Sequence, residues 1–391
     1  MPPAPLPPHL AHLPLPPPAA EVVGERLRRV IAAEIEAGGG WISFSRYMAL
    51  ALYAPGLGYY SAGSTKLGAA GDFVTAPELS ALFGRSLARQ VAQVIGQGIP
   101  DVIEVGAGSG ALAAELLNAL DASGDLPERY LILELSADLR ERQRSRIKAA
   151  APHLLPRVEW LDTLPPQVDA LLLANELLDA VPASLVRMSE GAIEEVGVAL
   201  ADGNFERAAR PATGELLAAA QALNLPHDYE TEINLAARAL VRSFAATINR
   251  GAMLFIDYGF PAAEYYHPQR SRGTLMCHYR HHAHDDPLTL VGLQDITAHV
   301  DFTAVADAAI DAGMRMLGYT TQAQFLINCG ITDLLAETPA HDARAYAPLA
   351  AQAQKLLSPA EMGELFKVIG FGRGVEGPLL GFVRGDRSHT L

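Results

Sequence analysis

The ten residues from Asp101 to Gly110, DVIEVGAGSG, constrain the fold of this chain more than any other stretch. Val102, Ile103 and Val105 read as a short buried strand, Glu104 stands near its carboxyl end, and Gly106, Gly108 and Gly110 follow at once. Glycines so placed let the backbone turn tightly and approach a ligand more closely than a side chain allows. The segment that follows, ALAAELLNAL, has the pattern of a helix. Strand, glycine turn and helix together predict a cofactor loop in a doubly wound, Rossmann-like α/β fold.

The glycine spacing bears on the kind of cofactor. A dinucleotide fingerprint is G-x-G-x-x-G and seats a pyrophosphate on the helix start, whereas this chain has G-x-G-x-G behind an acid. A carboxylate there repels phosphate and suits a cation. S-adenosylmethionine carries an ammonium and a sulfonium but no phosphate, so it fits better than NAD, and a nicotinamide-dependent oxidoreductase is the weaker alternative. A turn that binds nothing is disfavoured, because glycine at a helix start costs stability.

Charge and cysteine content narrow the partners. Thirty basic against 44 acidic residues give a net charge of −14, which argues against nucleic-acid binding and suits a basic protein or peptide partner. Cys277 and Cys329 are the only cysteines, too few for a disulfide framework or a zinc cluster, and no metal site is expected. This usage fits a reducing compartment. No apolar run reaches the roughly eighteen residues of a membrane span.

Half of the first eighteen residues are proline and none is charged, so residues 1–20 are expected to form a disordered Pro-rich tail. The tail lacks the basic start of a secretory signal and is poor in Arg and Ser for a transit peptide. Residues 21–98 read as a helical and lid region, with a glycine-rich loop between Gly58 and Glu78. Residues 99–391 read as the α/β domain, with insertions at about 183–230 and 260–300. Within it RYLILEL, RVEW, VDALLLANE and AMLFIDYG are expected strands, Leu185–Arg207 an antiparallel excursion around an Asp202-Gly203 turn, and LLGFVRG the last strand.

Several acids fall where such a sheet does chemistry. Glu134 closes the second strand, 28 residues after Gly106, where a carboxylate accepts hydrogen bonds from ribose hydroxyls. Asp162 follows the third strand and could bind an adenine amino group. Asn175, Glu176 and Asp179 follow the fourth, at the end of the sheet that lines the reaction site. Glu176 could hold a guanidinium through paired charge-assisted hydrogen bonds. A capped helix start is the plainer reading of that segment.

With these residues in place, the chain resembles the MidA family of class I S-adenosylmethionine-dependent methyltransferases, which includes the mitochondrial complex I assembly protein arginine methyltransferase. The resemblance runs from about Trp41 to Val383. Its motifs are GYY at Gly58, GDFVTAPELSALFG at Gly71, EVGAGSG at Glu104, ANELLDAVP at Ala174, IDYG at Ile256, and the long segment from Gly273 to Phe302. Leu177 and Leu178 stand where the family usually carries phenylalanines. The resemblance implies methylation of an arginine in a protein substrate. In the mitochondrial members that substrate is the 49-kDa subunit of NADH dehydrogenase, symmetrically dimethylated, and a homologue of that subunit is the expected partner here.

The resemblance also turns Asp72, Thr75 and Glu78, otherwise readable as a capped helix start, toward cofactor or substrate contact. The stretch CHYRHHAHDD, with His278, His281, His282 and His284, is crowded into one polar loop without a cysteine pair to close a metal site, and is read instead, together with Asp295, Thr297, His299 and Asp301, as covering the substrate arginine. His299 could orient a carboxylate or take a proton, a structural hydrogen bond being its plainer role. The implied location is the bacterial cytoplasm rather than the mitochondrial matrix. A non-catalytic assembly or chaperone factor that keeps the fold is a second alternative, and the oligomeric state, a dimer included, is left open.

Overall fold

The structure is a computed structural model and describes residues 7–62 and 74–391. The chain forms two compact units that interleave along the sequence: Val74–Leu178 with Ala239–Ala262 and Val300–Leu391, and Met1–Phe73 with Asp179–Arg238 and Ala263–His299. The expected boundary at 98/99 is not where this division falls. The two expected insertions instead lie in one unit with the N-terminal helices.

The unit containing the glycine turn is built on a sheet of seven strands and a short eighth. The seven are β1 (Asp101–Val105), β2 (Arg129–Leu133), β3 (Val158–Leu161), β4 (Val168–Asn175), β5 (Ile248–Phe260), β6 (Arg315–Thr321) and β7 (Phe366–Arg373). Their spatial order is β6-β7-β5-β4-β1-β2-β3. Strands β1 to β5 are parallel, and β7 runs antiparallel between β5 and β6. The short strand Val300–Asp301 extends the end of β5. Every residue of β1 is buried, as expected of a central parallel strand with both faces covered.

From β1 the chain builds outward through β2 and β3, then returns to place β4 on the other side of β1. That reversal opens a crevice at the carboxyl ends of β1 and β4, the place where open α/β sheets bind ligands. The register Val105↔Ala174 brings Gly106 and Asn175 level at its rim. Below it lies a core that includes Val102, Leu116, Leu117, Leu171, Leu173, Leu254 and Ile256.

The second unit holds helices Pro18–Ala37 and Phe44–Tyr53 and an antiparallel sheet of Trp41–Ser43, Ser184–Ser189, Ala192–Ala201, Asn204–Pro211 and Tyr229–Ile233. Asp202 and Gly203 turn with φ of 50° and 78°, the left-handed pair that a two-residue hairpin of native twist requires. Leu27, Ile31, Phe44, Tyr47, Val196 and Val198 belong to its core. Among the described residues no helix is long and apolar enough to cross a membrane.

The structure departs from the sequence reading at three places. Residues 7–20, expected in the disordered tail, contain a 3-10 turn at Pro8–Leu10 and the start of the first helix. Leu10 and Leu13 are buried in a cluster with Tyr279 and Leu290, so two leucines among the prolines anchor the segment. The polar stretch of 260–300 contains a small sheet of Met276–Tyr279, His282–His284 and Asp295–Thr297. The last strand is β7, FKVIGFGR, while LLGFVRG forms a 3-10 turn at Leu380–Phe382. Phe382 covers the sheet over Gly370 of β7, where an added Cβ would lie 2.7 Å from its ring.

Candidate active site

Gly106, Gly108 and Gly110 have φ of 69°, 53° and 81°, a region where a side chain is penalised. The turn is also enclosed. An added Cβ on Gly106 would lie 3.1 Å from Leu177 Cδ1, and one on Gly110 would lie 2.9 Å from the backbone of Gln143. The loop is therefore held between the segment after β4 and the helix Ala137–Ala150. Gly110 occupies the N-cap of helix Ala111–Ser123 and offers it no side-chain cap.

The expected acids lie around this turn in different states. Glu104 is only 3% exposed, and its Oε2 accepts a 2.6 Å bond from the Tyr130 hydroxyl. Burial pushes its carboxyl up to about 7, against the downward pull of Tyr130, and nearby Glu134 adds to the rise. The Glu134 carboxylate accepts from the Ser136 amide at 2.9 Å and from Gln143 Nε2 at 3.2 Å. Burial holds it above the ordinary carboxyl range. Asp162 points to solvent, its side chain 85% exposed, and is paired with Arg140 at 2.7 Å. Arg140 also donates to the carbonyls of Glu134 and Leu161, at 2.5 and 2.7 Å, and so ties together the ends of β2 and β3.

Thr75 occupies the N-cap of the short helix Ala76–Leu79, but its hydroxyl makes no capping bond. Glu78 instead accepts from the Ser109 hydroxyl and from Arg146, whose two nitrogens lie 2.6 and 3.2 Å away. The described end of the GDFVTAPE segment is thereby joined to the glycine turn. Asp72 lies outside the described residues.

Asn175 ends β4 and Glu176 follows it. The Asn175 Nδ2 donates to Glu176 Oε1 at 3.1 Å, and its Oδ1 is buried with no hydrogen-bond partner among the described residues. Glu176 has φ of +50°, which costs a non-glycine residue about 1–2 kcal/mol. Asp257, 1% exposed on β5, holds the turn in place. Its Oδ2 accepts from the amides of Leu177 and Leu178 at 3.1 and 2.8 Å, and its Oδ1 from that of Tyr258 at 2.9 Å.

Asp179 and His299 belong to the second unit. The Ala298 amide donates to the Asp179 carbonyl at 3.0 Å, and the His299 amide donates to Thr274 Oγ1 at 3.0 Å, so their segments meet there. In the same unit Tyr60 donates to Asp295 at 2.9 Å and stacks on Tyr53, with ring centroids 5.5 Å apart. Burial, then Asp295, raises the Tyr60 phenol well above its ordinary range. Arg280 and His281 form the hairpin turn between the strands carrying His278 and His282, with φ of 48° and 65°. Among the described residues no group of three or more His, Cys, Asp or Glu could hold a metal ion.

Sequence reasoning missed two polar residues at the crevice. Asp257 had a signal, since IDYG puts an acid at the carboxyl end of β5, the end where Asn175 also lies. Gln143 had none, being one polar residue in a helix full of them.

The carboxyl ends of the parallel strands are thus rich in acceptors, with Glu104, Glu134, the Asn175 side-chain oxygen and Glu176 near the glycine turn. The set fits a ligand bearing hydroxyl and ammonium donors, as S-adenosylmethionine does, and the buried Asn175 Oδ1 still needs such a donor. A family model described as "Putative S-adenosyl-L-methionine-dependent methyltransferase" matches residues 82–320. A crystal structure of a Burkholderia thailandensis protein bound to S-adenosyl-homocysteine is 53% identical, with a TM-score of 0.94 over 97% of this chain and 100% of that one. Curated relatives include the mitochondrial protein arginine methyltransferase NDUFAF7 of Danio rerio, 28% identical over 88% of this chain and 86% of that protein. Its Drosophila melanogaster homologue is 29% identical, over 86% and 82%. The glycine turn and its acids thus form part of an α/β methyltransferase fold whose cofactor is S-adenosylmethionine, and the chain belongs to the MidA-like family of S-adenosylmethionine-dependent methyltransferases.

Proposed function

We propose that the chain is a protein arginine N-methyltransferase whose substrate is an arginine of a respiratory complex I subunit, the homologue of the 49-kDa subunit. The observation that carries this reading is Glu176: a glutamate held in left-handed backbone by a buried aspartate at the carboxyl end of β4. Non-glycine residues kept in such conformations concentrate at functional sites. The relatives named as protein arginine methyltransferases support the choice of acceptor.

When bound, S-adenosylmethionine supplies a methyl group already activated on its sulfonium, so the chain's contribution is position and charge. Gly106, Gly108 and Gly110 give close backbone approach. Glu134 accepts from the ribose hydroxyls, Glu104 and Asn175 Oδ1 face the methionine ammonium, and Asp162 receives the adenine amino group. Thr75 and Glu78 cover the cofactor. Glu176 receives the guanidinium through paired charge-assisted hydrogen bonds and balances its charge. A guanidinium keeps its proton until its nitrogen reacts, so an acceptor for that proton must stand beside it. Asp179 is the second choice for the guanidinium contact and His299 for the proton.

Mass spectrometry of cells with and without this protein tests the proposal. The expected result is loss of methylation at one arginine, restored by the intact chain and not by Glu176→Gln. No lost methylarginine, or full restoration by Glu176→Gln, would overturn the reading. Unchanged turnover of His299→Ala with intact cofactor binding would remove His299 from the mechanism.

A further inference from the structure

Gln143 is the one fully buried polar side chain of a helix whose sequence, ADLRERQRSRIKAA, is mostly charged; Ile147 is the other buried residue. A buried amide must find partners for both ends, and its partners belong to three different strand ends. Oε1 accepts from the Trp160 indole at 2.9 Å, on β3. Nε2 donates to the Gly108 carbonyl at 2.9 Å, in the turn after β1, and to Glu134 Oε2 at 3.2 Å, just beyond β2. An indole nitrogen can only donate and an ionised carboxylate can only accept, so the amide has one permitted orientation. The Arg144 guanidinium lies 4.3 Å from the centroid of the Trp160 ring.

We propose that Gln143 is a positioning residue for the cofactor: its side-chain amide fixes the glycine turn and the Glu134 carboxylate relative to each other. The inference rests on reading Gly108 and Glu134 as cofactor-binding. Nothing about cofactor chemistry requires a residue at this place in the helix; the three hydrogen bonds and the close approach to Gly110 do.

The role has a signature that simple core filling lacks. Glu134 is faced by Arg140 and Gln143 from the helix, by the amides of Leu135 and Ser136, and by Glu104 from β1. Arg140 is itself paired with Asp162 and with the carbonyls of Glu134 and Leu161. Burial raises the Glu134 carboxyl and the Gln143 N–H opposes that rise. Without this donor Glu134 takes up its proton at higher pH, and one of its two acceptor oxygens becomes a donor.

The test is calorimetric binding of S-adenosyl-homocysteine to the full chain across a pH series, for wild type, Gln143→Leu and Glu134→Ala. Gln143→Leu is expected to lower affinity about tenfold, some 1.4 kcal/mol, and to move the acid-side loss of affinity to higher pH. An unchanged affinity and profile in Gln143→Leu, while Glu134→Ala binds poorly, would overturn the positioning role and leave the cofactor reading standing. Weaker binding with an unmoved pH profile would overturn it too, since that marks a packing residue. If Glu134→Ala binds normally, the cofactor reading of Glu134 falls and the inference falls with it. Should Gln143→Leu fail to fold, Trp160→Phe removes the donor that orients the amide. It is expected to shift the profile the same way by a smaller amount, and an unmoved profile would overturn the role.

Discussion

Two neighbouring parallel strands, β1 and β4, end side by side and meet the same demand by different means. Both are followed by left-handed backbone. After β1 three glycines adopt it without steric cost; after β4 Glu176 adopts it and Asp257 holds it there. The first turn needs its backbone close to a ligand and uses no side chain. The second keeps a carboxylate in an unfavourable conformation, which accords with the guanidinium contact proposed for it.

The strongest way to break this contrast is to remove the clamp. Asp257→Ala leaves the amides of Leu177, Leu178 and Tyr258 without their acceptor. Losing charged acceptors for three such donors costs about 4 kcal/mol. Denaturant unfolding should show that loss, together with methyl transfer near background. A small loss of stability with normal turnover would mean that the turn after β4 holds itself and that Asp257 is not its clamp.

The next largest effect is expected on the glycine side. Gly110→Ala puts a methyl 2.9 Å from the Gln143 backbone at φ of 81°, so left-handed strain of about 1–2 kcal/mol adds to overpacking of similar size. Stability should fall by about 3 kcal/mol and cofactor affinity with it. Retained affinity would show that the turn can reopen without its glycine.

The contrast also explains what could be read from sequence. Glycine after a β-branched strand is visible as a pattern, and with Glu104 it indicated the cofactor. The left-handed Glu176 is invisible in sequence because φ is not written in a residue type, although the acid itself was picked out. Gln143 and Asp257 act through hydrogen bonds to groups far along the chain, and such bonds leave no local periodicity. Strand β7 was missed because Lys367, Gly370 and Gly372 interrupt its apolar run; its glycines make room for side chains lying over the sheet. The buried leucines near the N-terminus were hidden by a proline-rich composition that usually signals an unpacked tail.

A third effect depends on pH. Glu104, beneath the glycine turn, ionises at about 7 in the fold against an ordinary 4.5. Between those values the folded chain holds a proton that the unfolded chain has released, so stability falls as pH rises through this window. Glu104→Gln keeps an oxygen for Tyr130 and removes the ionisation. It should match wild type in acid and exceed it at alkaline pH by on the order of 3 kcal/mol, at about 1.36 kcal/mol per unit. The same variant should bind S-adenosylmethionine less well above neutrality. A stability difference independent of pH would show that Glu104 does not titrate there.

The smallest expected effect separates the two strand ends most cleanly. Glu176→Gly gives the turn after β4 the residue type used after β1, with the Asp257 clamp left in place. Relief of left-handed strain should raise stability by about 1 kcal/mol, while methyl transfer falls to near background and S-adenosyl-homocysteine affinity stays within a few fold of wild type. Stability and activity then move in opposite directions, as expected where conformational strain is kept for the sake of a carboxylate. Glu176→Gln separates the remaining contributions, because it retains both the strain and the shape and loses only the charge: its stability should match wild type and its activity should fall. If the glycine variant were instead less stable and still active, Glu176 would be a structural residue, and the two strand ends would differ only in how they turn.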